Sequence, residues 1–147
     1  MTYNDPSLDF YVKAIYGKKA YDVVAIDVQG LTSVADIFIV CSGSSNRQVS
    51  AIAEHIQKEL KNYKIKPLSI EGIKEGHWVL LDYGHIIIHV FYDTVRSFYN
   101  IESLWADAPR IKTPAMIEHE QSLPDNEKLE KELEKEESEQ GESDDTN

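Results

Sequence analysis

The chain has 147 residues, 41% of them hydrophobic, with a formal net charge of −11 and a single cysteine. That length and apolar content suit one ordinary core, and a lone thiol excludes an internal disulfide framework. The acidity is concentrated: residues 118–147 hold 13 acidic and 3 basic side chains, whereas residues 1–117 hold 13 and 12. The body is nearly neutral and lacks the general excess of Lys and Arg that displaces counterions from nucleic acid, so no direct, specific nucleic-acid binding is expected of it.

The first residues, MTYNDPSLDFYVK, contain no basic region followed by an apolar run. No apolar stretch approaches the roughly 18 residues of a membrane span, so a cytoplasmic protein without a membrane partner is expected. Leu8, Tyr11, Val12, Ile15 and Tyr16 recur at helical spacing and predict a short amphipathic helix ending near Gly17. Residues 21–28, YDVVAIDV, are rich in β-branched side chains and predict a largely buried strand. Residues 37–42, IFIVCS, form a continuous apolar run, the pattern of a strand buried on both faces. Ser45 with Gln48 makes a capping box, and Val49, Ile52, Ala53, Ile56 and Leu60 form one stripe of the helix it opens.

After Pro67 comes a short extended segment, residues 68–70, and a loop punctuated by Gly72 and Gly76. Residues 78–83 and 86–91 flank Gly84 and predict an antiparallel hairpin. Asp93 is placed to cap a last helix with Val95, Phe98 and Tyr99 on one side. This order gives an α+β fold class, a single domain with a mixed β-sheet flanked by helices. Ala108-Pro109 and Thr113-Pro114 close it, leaving a domain over residues 1–112 and an acidic tail over 113–147. Beyond Pro124 the tail is too charged and too poor in aromatics to fold alone, and a transient helix around residues 127–134 is the most expected of it.

The enzyme-like signal is a strand, then Gly43-Ser44-Ser45, then a helix, because such a turn can present free backbone N–H groups to a phosphate. A nucleotide-binding or nucleotidyltransferase-like enzyme using this turn is therefore the alternative function. Against it, no Asp-x-Asp follows to hold two metal ions, and no Lys follows a second glycine as in a phosphate-binding loop. Helix capping is the simpler reading. Cys41 lies inside an apolar strand and reads as core. His77, His85 and His89 fall on or beside the hairpin, where His85 and His89, four apart on a strand, share a face without the convergence a metal needs, and nothing positions Ser, His and Asp as a triad. No catalytic residue, metal or cofactor is assigned.

The aromatic set is different. Trp78 shares one strand face with Leu80, and His89 shares another with Phe91, with Arg96, Tyr99, Leu104 and Trp105 close behind. Large aromatics with an arginine dominate partner interfaces, and one helix over a modest sheet cannot cover them all. Trp78, Tyr99 and Trp105 are the first candidates.

In order and spacing, the chain from about Leu8 to Pro109 resembles the ribosomal silencing factor family, RsfS, also called Iojap. The resemblance rests on Asp22 to Val28 (DVVAIDV), Asp36 to Ser45 (DIFIVCSGSS), Arg47-Gln48-Val49 with Ala51-Ile52-Ala53, and Glu71-Gly72. It continues through Trp78 to Gly84 (WVLLDYG), His89-Val90-Phe91, Arg96-Ser97-Phe98-Tyr99 and Glu102 to Ala108 (ESLWADA). It implies a nucleotidyltransferase-like fold without catalytic carboxylates and a non-enzymatic protein. Such a protein docks on the large ribosomal subunit through its ribosomal protein fourteen, sterically blocks subunit association and represses translation. Carried onto these positions, the partner-binding residues are Trp78, Asp82, His89, Arg96, Tyr99, Leu104 and Trp105. A homodimer pairing the aromatic face with itself competes for the same surface. The acidic tail lies beyond the matched part, and a segment of net −10 is repelled by ribosomal RNA. Deletion of residues 118–147 is accordingly expected to leave large-subunit binding undiminished at physiological salt in a pelleting assay; weaker pelleting would assign the tail a role in docking.

Overall fold

The structure, a computed structural model, describes residues 6–124 and 132–133. Contacts divide the chain into two units, Met1–Thr113 and Pro114–Asn147. The first unit contains α1 (Leu8–Tyr16), β1 (Tyr21–Asp27), β2 (Ile37–Gly43), α2 (Asn46–Lys61), β3 (Ser69–Glu71), β4 (Trp78–Asp82), β5 (Ile86–Tyr92) and α3 (Asp93–Tyr99). A 3-10 helix (Ile101–Trp105) and β6 (Arg110–Ile111) complete it. In the second unit, α4 (Pro114–Ser122) opens on a proline, a residue suited to the first helical turn. No element was expected over residues 114–122, nor were the 3-10 helix and β6. The tail region around residues 127–134 lies almost wholly outside the described residues.

The six strands form one mixed sheet in the order β3-β4-β5-β2-β1-β6. Its centre is the parallel pair β2 and β5, registered from Ile37 opposite Ile86 to Gly43 opposite Tyr92; every other pairing is antiparallel. A parallel pair needs a crossover, and α2 supplies it. β2 is buried along its whole length, which is why its sequence is an unbroken apolar run rather than an alternation.

Alternation along β2 and β5 divides two cores. Val49 and Ile52 of α2 sit against Gly43, and all five residues of the predicted stripe are buried. On the other face Phe38, Val40, Ile87 and Phe91 form a cluster with Ile26, on which Val95, Ile101, Trp78 and Trp105 pack. The hairpin turns at Gly84, whose φ of +90° suits glycine.

The Gly43-Ser44-Ser45 turn is a helix cap. Ser45 Oγ accepts the Gln48 N–H at 3.1 Å, while Gln48 Oε1 reaches back to the Ser44 N–H at 2.5 Å and its hydroxyl at 2.6 Å. The box is reciprocal, but its return bond falls one residue earlier than the usual pattern. A Cβ on Gly43 would stand 2.9 Å from Val49 Cγ2, so the glycine is required by close strand–helix approach. Ser45→Ala should cost about 1 kcal/mol, read as a lower urea midpoint, with large-subunit binding unchanged; a binding defect without a stability change would give the turn a ligand.

Candidate functional site

The face opposite α2 gathers most of the aromatic candidates. β4 and β5 pair with Trp78 opposite Phe91 and Leu80 opposite His89, so these four side chains share one side. Trp78 stacks on Phe91 with ring centroids 4.7 Å apart, and its Nε1–H donates to His89 Nδ1 at 3.1 Å. Phe38, reaching up from β2, meets His89 edge-on at 5.3 Å and Trp105 at 5.5 Å. The inner layer is therefore Phe38, His89 and Phe91, with both tryptophans half-buried against it.

A second layer is left to solvent. Tyr99 lies 5.1 Å from Trp78 and perpendicular to Phe98 at 5.2 Å. Phe98 is 82% exposed, Leu104 75% and Tyr99 53%. His77, Trp78, Thr94, Val95, Phe98 and Tyr99 line a mainly apolar pocket of about 410 Å³. Single exposed apolar residues are ordinary, but an aromatic cluster around a pocket has the composition of an interface core. Phe98 is the residue that sequence reasoning left out of the candidate set, having placed it only on a helix side.

Arg96 is committed within the molecule. Its Nε and Nη2 donate to the two carboxylate oxygens of Glu102 at 2.8 and 3.1 Å, and Nη1 donates to the Asp22 carbonyl at 2.7 Å and Ser42 Oγ at 2.8 Å. The Asp22 carbonyl is available because β1 bulges there, with φ +51° at Asp22 and a register shift between Tyr21 and Val24. The same bulge sends the Tyr21 hydroxyl to Asp93 at 2.5 Å, a bond that holds the Asp93 carboxyl below its ordinary pKa. Asp93 is the first residue of α3 rather than its cap. α3 ends at Asn100 in the left-handed conformation, which turns the chain into the 3-10 helix. Arg110, also unforeseen, donates to the carbonyls of Trp105 and Ala108 and so holds the exit of that helix.

The remaining candidates separate from the cluster. Asp82 accepts the Gly84 N–H at 2.8 Å and so serves the hairpin turn. It is four residues along β4 from Trp78, about 13 Å at strand spacing. His85 precedes β5, and its ring meets Tyr11 of α1 edge-on at 6.1 Å, whereas the His89 ring packs among Phe38, Trp78 and Phe91. The two histidines do not share surroundings, contrary to their spacing, because His85 lies outside the strand. Cys41 is buried and its thiol is pushed up to about 12 by burial, the state of an inert core thiol. Among the described residues no group of three or more His, Cys, Asp or Glu could hold a metal ion, and no helix is long and apolar enough to cross a membrane.

An α+β protein whose mixed sheet carries two helices on one face and an exposed aromatic cluster on the other is the class that these features define. The family model described as ribosomal silencing factor during starvation matches residues 3–146, and the chain belongs to that family. It is 39% identical over 114 residues to a ribosomal silencing factor RsfS of Halalkalibacterium halodurans, covering 78% of this chain and 97% of that protein. It is 45% identical over 92 residues to the RsfS of Bacillus subtilis, covering 63% and 78%. Its fold is similar to a crystal structure of a Chromobacterium violaceum protein at 36% identity, with a TM-score of 0.65 and coverage of 73% of this chain and 86% of the other.

Burial lowers the His89 pKa to about 4, and its Nε2 has no partner. With Nδ1 accepting from Trp78, the neutral ring carries its proton on Nε2. Since the unfolded chain protonates near 6.5, it binds more protons than the folded one between that value and 4. Stability is therefore complete above about pH 6.5 and falls as pH drops toward 4. The loss attributable to this residue approaches roughly 3 kcal/mol at 1.36 kcal/mol per pKa unit. Urea denaturation across this range should show a shallower acid decline for His89→Phe than for the wild type; parallel profiles would mean that His89 is not held neutral.

Proposed function

We propose that this protein docks on the large ribosomal subunit through its ribosomal protein fourteen and, by occupying the space that the small subunit needs, prevents subunit joining and represses translation in the cytoplasm. The proposal rests on membership of the ribosomal silencing factor family and on one observation: Phe98, Tyr99 and Leu104 stand exposed around the half-buried Trp78 and Trp105. Such a mechanism requires no chemistry, since occupancy alone inhibits. The competing enzyme reading is weakened by the capped turn at residues 43–45, where the Ser44 and Gln48 N–H groups are already bound within the chain.

The geometry separates the candidate residues by what each could contribute. Tyr99 and Leu104 project from the surface, so truncating them removes contact area without opening the core. Trp78 and Trp105 couple the surface to Phe91 and Phe38, and Arg96 and His89 act beneath it by holding its frame.

Tyr99→Ala and Leu104→Ala should each weaken large-subunit binding by about 2 kcal/mol, the range of an interface anchor, with the urea midpoint unchanged for Leu104→Ala and lowered for Tyr99→Ala by much less than for Trp105→Ala. Trp105→Ala should lose both binding and stability. Pelleting with purified large subunits followed by a subunit-joining assay measures the effect. Undiminished pelleting by both surface variants would remove the aromatic face from the docking contact, and binding without inhibition of joining would refute the steric mechanism.

A further inference from the structure

The near-neutral body hides a separation of charge. Residues 8–20 and 45–66, which hold α1 and α2, carry eight Lys and Arg against three carboxylates; the rest of residues 6–113 carries four against nine. Within the helical layer the cations concentrate at the end of α2, where Lys58, Lys61, Lys64 and Lys66 are all exposed. Glu59 lies 3.9 Å from the His55 ring, and Lys13 on α1 is paired with Asp9, so among the described residues these carboxylate contacts leave those four lysines out.

Two features go beyond what a helix C-terminus needs. Cations in the last turn complement the helix dipole, which accounts for Lys58 and Lys61 but not for Lys64 and Lys66, which lie past the end of the helix. Lys64 moreover holds φ +62°, with its N–H bonded to the Lys61 carbonyl and the Ile65 N–H to Leu60. This helix ending ordinarily places glycine at that position, so a lysine side chain is kept there against backbone preference. Beside these lysines, Tyr63 packs on Phe10 with rings 4.9 Å apart, yet Tyr63 remains 57% exposed and Phe10 40%.

We propose that this corner, Lys58, Lys61, Lys64 and Lys66 with Tyr63 and Phe10, contacts the phosphate backbone of ribosomal RNA while the opposite, aromatic face engages protein. Lysines interleaved with exposed aromatics suit an RNA strand, the ammonium groups meeting phosphates and the rings offering a stacking surface to unpaired bases. The contact is electrostatic and sequence-tolerant, so it supplies orientation and salt dependence rather than base recognition. It rests on the reading of the protein as a ribosome-binding factor.

The full-length chain and a K58Q/K61Q/K64Q/K66Q variant are pelleted with large subunits across a salt series. Each single-stranded phosphate contact contributes a slope of about −0.7 in log K against log salt, so the variant should have a slope shallower by up to about 3, with weaker binding at low salt and convergence at high salt. An unchanged slope overturns the proposal. Binding of the wild type to phosphatidylglycerol vesicles that the variant loses, with the subunit slope unchanged, also overturns it and assigns the corner to a lipid surface. Leu104→Ala, run in parallel, should lose affinity at every salt with the wild-type slope retained. Undiminished binding by Leu104→Ala and likewise by Tyr99→Ala, beside a shallower lysine-variant slope, would sink the aromatic docking reading and leave the RNA contact standing.

Discussion

Two parallel strands that must stay dry on both faces dictate most of this structure. β2 and β5 pair over seven residues, and the buried side chains along the shared register are apolar apart from Ser42 and His89. A sheet with such a centre needs a cover on each side, because exposed apolar area weighs against folding at about 25 cal/mol per Å². α2 with α1 provides one cover, and the stripe from Val49 to Leu60 is its counterpart in sequence. The other cover is much thinner. α3 has seven residues and no buried side chain, and the 3-10 helix has five residues and none. Large aromatics complete that cover, so the molecule carries rings at its surface as a consequence of how its sheet is closed.

A short cover needs to be fastened, and Arg96 does this. One guanidinium binds the Glu102 carboxylate in the 3-10 helix, the Asp22 carbonyl at the β1 bulge and Ser42 at the end of β2. A planar fork with several fixed donors suits such a junction in a way that a lysine ammonium does not. The fastening also explains why an arginine amid aromatics, the composition of an interface hot spot, is structural in its observed contacts. It orients the segment from which Tyr99 and Leu104 project.

Regular periodicity made the main elements legible. The helix stripe at Val49, Ile52, Ala53, Ile56 and Leu60, the uninterrupted apolar run of β2 and the glycine-centred hairpin each follow from a local rule, and the α+β class with a mixed sheet follows from their order. The segments without such signals were not foreseen. The 3-10 helix, the two-residue β6 and the Asp22 bulge depend on contacts far apart in sequence, such as Arg96 with Asp22 and the pairing of Ile111 with Ala25. Spacing in sequence also misled where geometry intervened: His85 stands outside the strand that would have aligned it with His89. Charge was the subtlest case. A net value near neutral for the body described its sum correctly and concealed its distribution, which emerges only once α1 and α2 are placed together on one side of the sheet.

For a protein proposed to act by occupancy, rigidity of the contact surface matters as much as its composition. Ordering a rotamer-rich side chain at an interface costs on the order of 1 kcal/mol, and a handful of such costs would cancel an anchor's contribution. Here Trp78 is held between Phe91 and Tyr99 and tied through its indole N–H to His89, while Trp105 rests edge-on against Phe38. Those rings have lost their freedom on folding, so little remains to be lost on binding. The arrangement also gives meaning to a buried histidine that has one satisfied nitrogen. A hydrocarbon at position 89 would fill the space, but only an acceptor there fixes the indole edge, and the unpartnered Nε2–H is the cost of placing that acceptor inside an aromatic layer. Neutral His89 thus links the core to the surface, and its low pKa keeps that link intact across the range in which cells hold their pH.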